Sequence, residues 1–324
     1  MNTTAYLDGV ELETSPCPNG CATADEPVLE GQDRLHGLRG RFRVVRCRHC
    51  GLMRTDPRPT AQTIGAYYPS DYGPHHTVAP VVKVKPQTWH RRFRARMQRW
   101  LGKDVRRLPD IPAGHLVELG CASGAYLAEQ RARGWTVEGI EFSDDAAQRA
   151  RELGIPVQTA TAETAAAPER PADVVAAWMV LEHLHEPAAA LRKVRHWVKP
   201  EGYLVAAVPD AGALERRVFG EYWYGLHLPN HLYHYTPDSL RTLLRHNGWE
   251  LTQVHWQPNC NNLLNSLEWM SHERGWPRRL ALARWLKNAP RAAKLRKHLG
   301  WLLGITRQSG RMEFWARPAS PVDR

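Results

Sequence analysis

Three groups of residues in this chain have the types and spacing to do chemistry. Cys17 and Cys21 in CPNGC, and Cys47 and Cys50 in CRHC, form two short pairs separated by 25 residues. Two or three residues around a turn let both thiolates of a pair reach one ion, and two such knuckles close a tetrahedral zinc site. Four thiolates saturate the ion, which makes the expected role structural. Two disulfides are the rival reading, disfavoured in a reducing cytosol. His49 reads as a turn residue of the second knuckle, and Cys121 and Cys260 as small packing residues. The second group is VELGCASGAYL, residues 117–127, an apolar run ending in two glycines, Gly120 and Gly124, that bracket three small residues. Such a turn lets backbone approach a ligand and offers helix-start N–H groups to a carboxylate or phosphate. Glu141, 21 residues after Gly120, can accept hydrogen bonds from both hydroxyls of a ribose. The third group is EYWYGLHLPNHLYHYTPDSL, residues 221–240, dense in aromatics and carrying His227, His231 and His234. Histidine titrates near neutrality and suits a general base, while aromatic faces suit a flat or sugar-like acceptor. The order of preference for that base is His231, His227, His234, against packing of the loop onto a sheet. Pro229 breaks any helix between His227 and His231, so the pair is not a helical metal site.

These groups need elements to position them. GRFRVVRC, residues 40–47, reads as a strand entering the second knuckle. From residue 114 strands and helices alternate. HLVELG (115–120) precedes a helix to Gly134, TVEGIEFS (136–143) is the second strand, and VQTATAE (157–163) is a weaker third. Ser143 caps a helix with Asp144 and Asp145 in its first turn, stopped by Gly154. The fourth strand lies in ADVVAAWMVLEHL (172–184), a helix covers about 187–198, and GYLVAAVPD (202–210) is the fifth. Thr236-Pro237 opens a helix ended by Gly248, and 249–257 and 310–318 are the last two strands. Short, near-continuous apolar strands separated by helices specify a mostly parallel sheet covered on both faces.

The chain has 324 residues, 43% hydrophobic, and a formal charge of +11. That length buries a full core. The sequence has neither an apolar run of membrane-spanning length nor an apolar N-terminal signal region, so a soluble cytosolic protein is expected. The positive charge is scattered except in WHRRFRARMQRWLGKDVRR, residues 89–107, which reads as an amphipathic helix between domains. The excess charge suits nucleic acid, a phosphorylated substrate, an anionic surface, or simply an arginine-rich proteome.

VELGCASG, the strand-end Glu141 and VLEHLHEP at 180–187 together resemble the class I S-adenosylmethionine-dependent methyltransferases. The resemblance covers about 115–257, with 310–318 as the reversed last strand. It implies a doubly wound, seven-stranded, mostly parallel Rossmann-like sheet that binds S-adenosylmethionine. Glu118, Gly120, Cys121, Ala122, Ser123 and Gly124 would meet the amino-acid end of that cofactor, and Glu141 and Phe142 the ribose end. Glu182 and His183 would line the pocket after strand four, in a lining or a catalytic role. Ala122 replaces the central loop glycine, and Thr161 stands where an acid often holds the adenine amino group. Ala162 and Glu163 are then the nearest adenine contacts, and Trp178 either packs on the adenine or fills the core. CRHCGLMRTDPRP followed by YYPSDYG further resembles bacterial methyltransferases with an N-terminal zinc-binding module, some acting on sugars in natural-product or polysaccharide pathways. The sugar C-methyltransferases of that group add a large C-terminal domain for which 324 residues leave no room, which favours transfer to oxygen or nitrogen.

The expected organisation is a zinc ribbon with an aromatic cover over 1–73, a linker and amphipathic helix over 74–110, the methyltransferase domain over 111–258 plus 304–324, and a basic helical insertion over 259–303. The expected function is methyl transfer to a hydroxyl or amine of a small molecule, a sugar or glycosylated intermediate. An RNA methyltransferase gripping phosphates with its arginine-rich helices is the alternative, although the basic residues are not interleaved with exposed aromatics. A non-catalytic zinc-ribbon binding protein is the third reading, opposed by the intact ELGCASG and Glu141.

Overall fold

The computed structural model of the protein describes residues 6–68 and 105–319, so the expected linker and nearly all of the amphipathic helix lie outside it. The N-terminal part holds β1 (Leu12–Glu13), β2 (Asp25–Gln32), β3 (Arg41–Cys47), β4 (Met53–Thr55) and β5 (Arg58–Pro59). Then follow β6 (His115–Leu119), α1 (Ala125–Arg131), β7 (Thr136–Glu141), α2 (Asp144–Glu152), β8 (Val157–Thr159) and β9 (Ala172–Trp178). Next come α3 (Pro187–Arg195), β10 (Val198–Pro209), α4 (Leu214–Phe219), β11 (Tyr233–His234), α5 (Pro237–His246) and β12 (Trp249–Trp256). Helices α6 (Asn261–Glu273), α7 (Pro277–Asn288) and α8 (Ala293–Ile305) precede β13 (Arg311–Pro318).

The seven-stranded sheet has the order β12-β13-β10-β9-β6-β7-β8, with β13 antiparallel to both neighbours. Every residue of β6, HLVEL, is buried, as an apolar run at the centre of a sheet covered on both faces requires. Leu191, Val194, Leu240, Leu243 and Leu244 from α3 and α5 fill one face. Tyr126 and Leu127 of α1 fill the other with Trp135 and Ile155. The local signals act as expected: Ser143 Oγ accepts the Ala146 N–H at 3.4 Å, and Thr236 with Ser239 forms a capping box. β8 is shorter than the apolar pattern suggests, because a Thr161–Thr164 hydrogen-bonded turn ends it after three residues. β10 begins earlier than expected, at Val198, with an irregularity before Tyr203.

β2, β3 and β4 form an antiparallel sheet whose fourth strand, β11, comes from the histidine-rich segment. Tyr233 pairs with Arg54 and His234 with Met53. Trp223, Leu226 and Leu228 of the same segment join Phe42, Val44, Met53 and Tyr67 in one apolar cluster. The stretch read as an irregular loop is therefore a structural part of the N-terminal module. Its two-residue strand is too short for an alternation pattern to reveal.

Candidate functional site

The carboxyl ends of β6, β7 and β9 meet where open α/β sheets place their ligands. Gly120, Ala122 and Gly124 all adopt positive φ, at 66°, 46° and 76°. Part of the glycine requirement is internal. A Cβ at Gly120 would stand 2.7 Å from Val180 Cγ2, and one at Gly124 2.9 Å from Ala150 and Ile155. The loop is fastened by Glu141, whose Oε2 accepts the Ala122 N–H and whose Oε1 accepts the Ser143 N–H, each at 2.9 Å. Glu118 is buried at the end of β6, and its Oε2 has no hydrogen-bond partner. Burial, reinforced by the nearby Glu141 charge against Arg106, pushes its carboxyl up to about 8. The N–H groups of Gly120, Cys121, Ala122 and Gly124 are bonded within the fold, to Ile140, Glu141 and Cys121. The orphaned buried carboxyl of Glu118 beside this loop fits the ammonium of an amino-acid moiety, so the residues present suit S-adenosylmethionine.

The other expected contacts fall around this loop. Cys121 and Ser123 are buried, with Cys121 Sγ packed over Gly139. Phe142 is 51% exposed at the mouth. Ala162 is buried, and Glu163 accepts the His185 N–H at 3.1 Å, tying one of its oxygens to the chain. Trp178 is buried edge-on against Tyr126 at 5.3 Å, with its indole N–H unpartnered.

Beyond β9, a single 3-10 turn, Leu181–His183, carries Glu182 and His183. Facing it, the segment 224–234 is pinned by main-chain bonds. Leu232 N–H donates to the Glu182 carbonyl at 2.8 Å, Thr55 N–H to the Leu232 carbonyl and Thr55 Oγ1 to the His231 carbonyl, both at 2.9 Å. This gathers three histidine rings: His183 and His231 centroids lie 4.7 Å apart, and His227 lies 4.8 Å from His231. His231 Nδ1 meets the Gly225 carbonyl and His183 Nδ1 the Asn230 carbonyl, both at 2.9 Å. A carbonyl only accepts, so Nδ1 carries the proton in each ring and Nε2 keeps its lone pair. Burial lowers His183 to about 4 and His227 to about 3, and holds His231 well below its usual value, so all three are neutral at physiological pH. Burial likewise raises Glu182 to about 8. His234 stands on β11 instead, its Nε2 3.3 Å from Thr55 Oγ1.

Residues that sequence reasoning did not place complete the mouth. Tyr68 Oη lies 3.0 Å from His183 Nδ1, and its ring 6.2 Å from that of Phe142, so the end of the N-terminal module covers β7 and β9 together. The His36 ring lies 5.9 Å from His227. The aromatic run YYPSDYG marked Tyr68 as part of a cover without indicating its partner.

The four early cysteines also come together, with their sulfurs within 4.8 Å of one another and Cys17 Sγ 3.5 Å from Cys50 Sγ. Burial pushes the Cys17 thiol up, and Cys21 to about 11, while hydrogen bonds to Cys50 bring its thiol down in spite of burial. The donor set and its convergence fit a zinc ion. Cys260 lies in a separate apolar cluster with Leu264 and Leu303.

The methyltransferase-domain family matches residues 89–254, just over half of the chain. Over 98 residues the chain is 36% identical to a ubiquinone biosynthesis O-methyltransferase of Serratia proteamaculans (strain 568), covering 28% of this chain and 40% of that protein. The match thus spans less than half the length of that relative. Among solved structures, an S-adenosylmethionine dependent methyltransferase from Mesorhizobium loti is 17% identical with a TM-score of 0.43, over 68% of this chain and 96% of the other. The [4+2]-cyclase SpnF is 19% identical with a TM-score of 0.46, over 81% and 98%. With the doubly wound sheet and its glycine loop in place, the chain belongs to the methyltransferase-domain family.

Proposed function

We propose that the protein transfers a methyl group to a hydroxyl, or an amine, of a small molecule, a sugar or glycosylated intermediate of natural-product or polysaccharide assembly. The observation that carries this reading is the trio of neutral histidines at the carboxyl ends of the strands. S-adenosylmethionine supplies, when bound, an electrophilic methyl on a sulfonium. Glu118 would hold its ammonium, the glycine loop 120–124 would lie along its amino-acid end, and Glu141 would hold its ribose. Phe142, Ala162, Glu163 and Trp178 stand around the expected adenine position. A neutral imidazole of the His227–His231 pair takes the proton from the acceptor hydroxyl as the oxygen attacks, and Tyr68 and His183 hold the acceptor against that pair. The matched relative's O-methyltransferase activity supports oxygen as the acceptor atom.

A groove of ≈ 840 Å³ lies between the end of β2 and helices α6 and α7, lined among others by Gln32, Asp33, Arg34, Trp269, His272 and Lys287, and we take it as a surface for the remainder of a glycosylated acceptor. Its charges pair within the wall: Arg34 with Glu273 at 2.7 Å, and Lys287 with Glu268 at 2.9 Å. A wall of balanced hydrogen-bonding groups with an aromatic face suits a neutral polyol better than a polyanion. The four cysteines hold a structural zinc ion that braces the module carrying Tyr68.

Kinetics on sugar acceptors with S-adenosylmethionine test the reading. Substituting alanine at His227 or His231 should lower kcat about 10²–10⁴-fold, as loss of a general base does, with S-adenosylhomocysteine affinity kept. Full kcat in both variants would overturn the assignment.

A further inference from the structure

The cluster behind the acceptor pocket has a feature that base chemistry leaves unexplained. Glu182 is 0% exposed, and among the described residues no other residue makes a hydrogen bond to either carboxyl oxygen; only its own backbone N–H approaches it. A buried carboxyl without a partner, charged or neutral, is costly, and each such group calls for an explanation. The atom that faces it is His231 Nε2, 4.0 Å from Glu182 Oε1. Because Nδ1 of His231 is spent on the Gly225 carbonyl, this Nε2 presents a lone pair. The ring lone pair and the carboxyl therefore face one space but stand too far apart for a direct hydrogen bond, and a cation in that space would draw the carboxyl into its charged form. Metal–ligand bonds of about 2.0–2.2 Å place neighbouring ligand atoms roughly 3–4 Å apart, the span seen here.

His183 repeats the arrangement. Its Nδ1 lies between the Asn230 carbonyl at 2.9 Å and Tyr68 Oη at 3.0 Å; with the proton on Nδ1 shared by these two oxygens, Nε2 keeps the lone pair. Ligand atoms of Glu182, His183 and His231 all lie within 4.8 Å of one another. Imidazoles whose second nitrogen donates to a backbone carbonyl are oriented as metal ligands are, with tautomer and ring plane fixed in advance. The two loops that bring these side chains together are joined through the bond from Leu232 N–H to the Glu182 carbonyl. The only cation acting on Glu182 by charge is Arg311, which makes no hydrogen bond to it among the described residues.

We propose that Glu182, His183 and His231 bind a divalent first-row transition-metal ion, in a site separate from the four-cysteine cluster. Two neutral imidazoles and one carboxylate leave the ion a net positive charge and open coordination positions, the donor set of catalytic rather than structural centres. This deepens the methyl-transfer reading and rests on it for the role of the ion. The acceptor hydroxyl binds at an open position, and its pKa falls there. With His231 held by the ion, the base of the His227–His231 pair is His227 alone, and the proton passes to it; its ring is 4.8 Å from that of His231. The oxygen lone pair then forms the new C–O bond while the carbon–sulfur bond breaks, the electron pair leaving with sulfur as a neutral thioether.

Metal counting on the full chain tests the site without reference to turnover. The protein is stripped with a chelator, dialysed against Co²⁺ and analysed by elemental analysis and absorption. Two equivalents per chain are expected, one with intense thiolate charge-transfer absorption and one with only weak visible bands. In Glu182→Gln and in His231→Gln the second equivalent should bind at least 100-fold more weakly, while the thiolate band persists and shows that the module is folded. One equivalent in the unsubstituted protein, all of it thiolate-bound, would overturn the proposal. Two equivalents in a protein that methylates no hydroxylated acceptor would keep the metal site and remove the reading of its role. Chelator-insensitive methyl transfer with one equivalent would do the reverse.

Discussion

Glu141 carries two functions in this account, and its removal separates them. Its carboxylate accepts the N–H groups of Ala122 and Ser143 at 2.9 Å each, and the side chain is 3% exposed. Glu141→Ala leaves two part-buried donors without partners, each costing up to about 1–3 kcal/mol. Ala122, at φ 46°, also loses the bond that holds it in the left-handed region, a conformation that itself costs about 1–2 kcal/mol for an L-residue. Water entering the vacated space recovers part of this, so the expected destabilisation is about 2–4 kcal/mol. At roughly 2–4 °C of Tm per kcal/mol for a domain of this size, calorimetry should show a drop of about 4–16 °C. Affinity for S-adenosylhomocysteine should fall by about 1–3 kcal/mol from the lost charge-assisted bonds to the ribose, measured by titration calorimetry on the folded fraction. Glu141→Gln keeps one accepting oxygen but sets an NH₂ against the other N–H, and should recover at most half of each loss. An unchanged Tm would refute the fastening role, and unchanged affinity in a folded variant would remove Glu141 from the cofactor site.

Three further outcomes follow from the same geometry. Ala122→Gly should stabilise the protein by about 0.5–1 kcal/mol, because glycine adopts a positive φ without the Cβ penalty, and a denaturant titration reads it. Elemental analysis should give zinc bound to the four cysteines, and Cys47→Ser should release it and expose the module to limited proteolysis; metal-free protein with an intact module would contradict this. With Glu118 raised to about 8, the free protein holds that proton at pH 7, and binding the cofactor ammonium expels it. Affinity for S-adenosylhomocysteine should therefore rise with pH towards 8 and level off above, and Glu118→Gln should flatten the profile. The sign for stability is opposite: an acid whose folded pKa lies above its unfolded value of 4.5 makes the unliganded protein less stable as pH rises from 4.5 to about 8.

Much of the fold was legible because its signals are local. β6 is an uninterrupted apolar strand, Ser143 and Thr236 cap the helices they precede, and the glycine loop with Glu141 marks the switch point. What stayed hidden depends on contacts between distant segments. The joining of Tyr233–His234 to the N-terminal sheet rests on pairing across 179 positions with residues such as Thr55. The space at Gly120 is filled by Val180, which no motif in the loop discloses. Proline between His227 and His231 rightly excluded a helical pair, yet the loop gathers both rings through main-chain bonds instead. The sequence singled out Glu182 and His183 as candidate pocket residues, whereas the burial of Glu182 away from any side-chain partner among the described residues shows only in three dimensions.

The central claim is methyl transfer to a small hydroxylated acceptor, and one measurement addresses it most directly. Purified protein is incubated with methyl-labelled S-adenosylmethionine and an extract of its source cell, and the products are divided by size and by ribonuclease treatment. The account expects label in small, nuclease-resistant molecules, with S-adenosylhomocysteine formed in equal amount. Label that disappears on ribonuclease digestion, or no transfer at all, would contradict it.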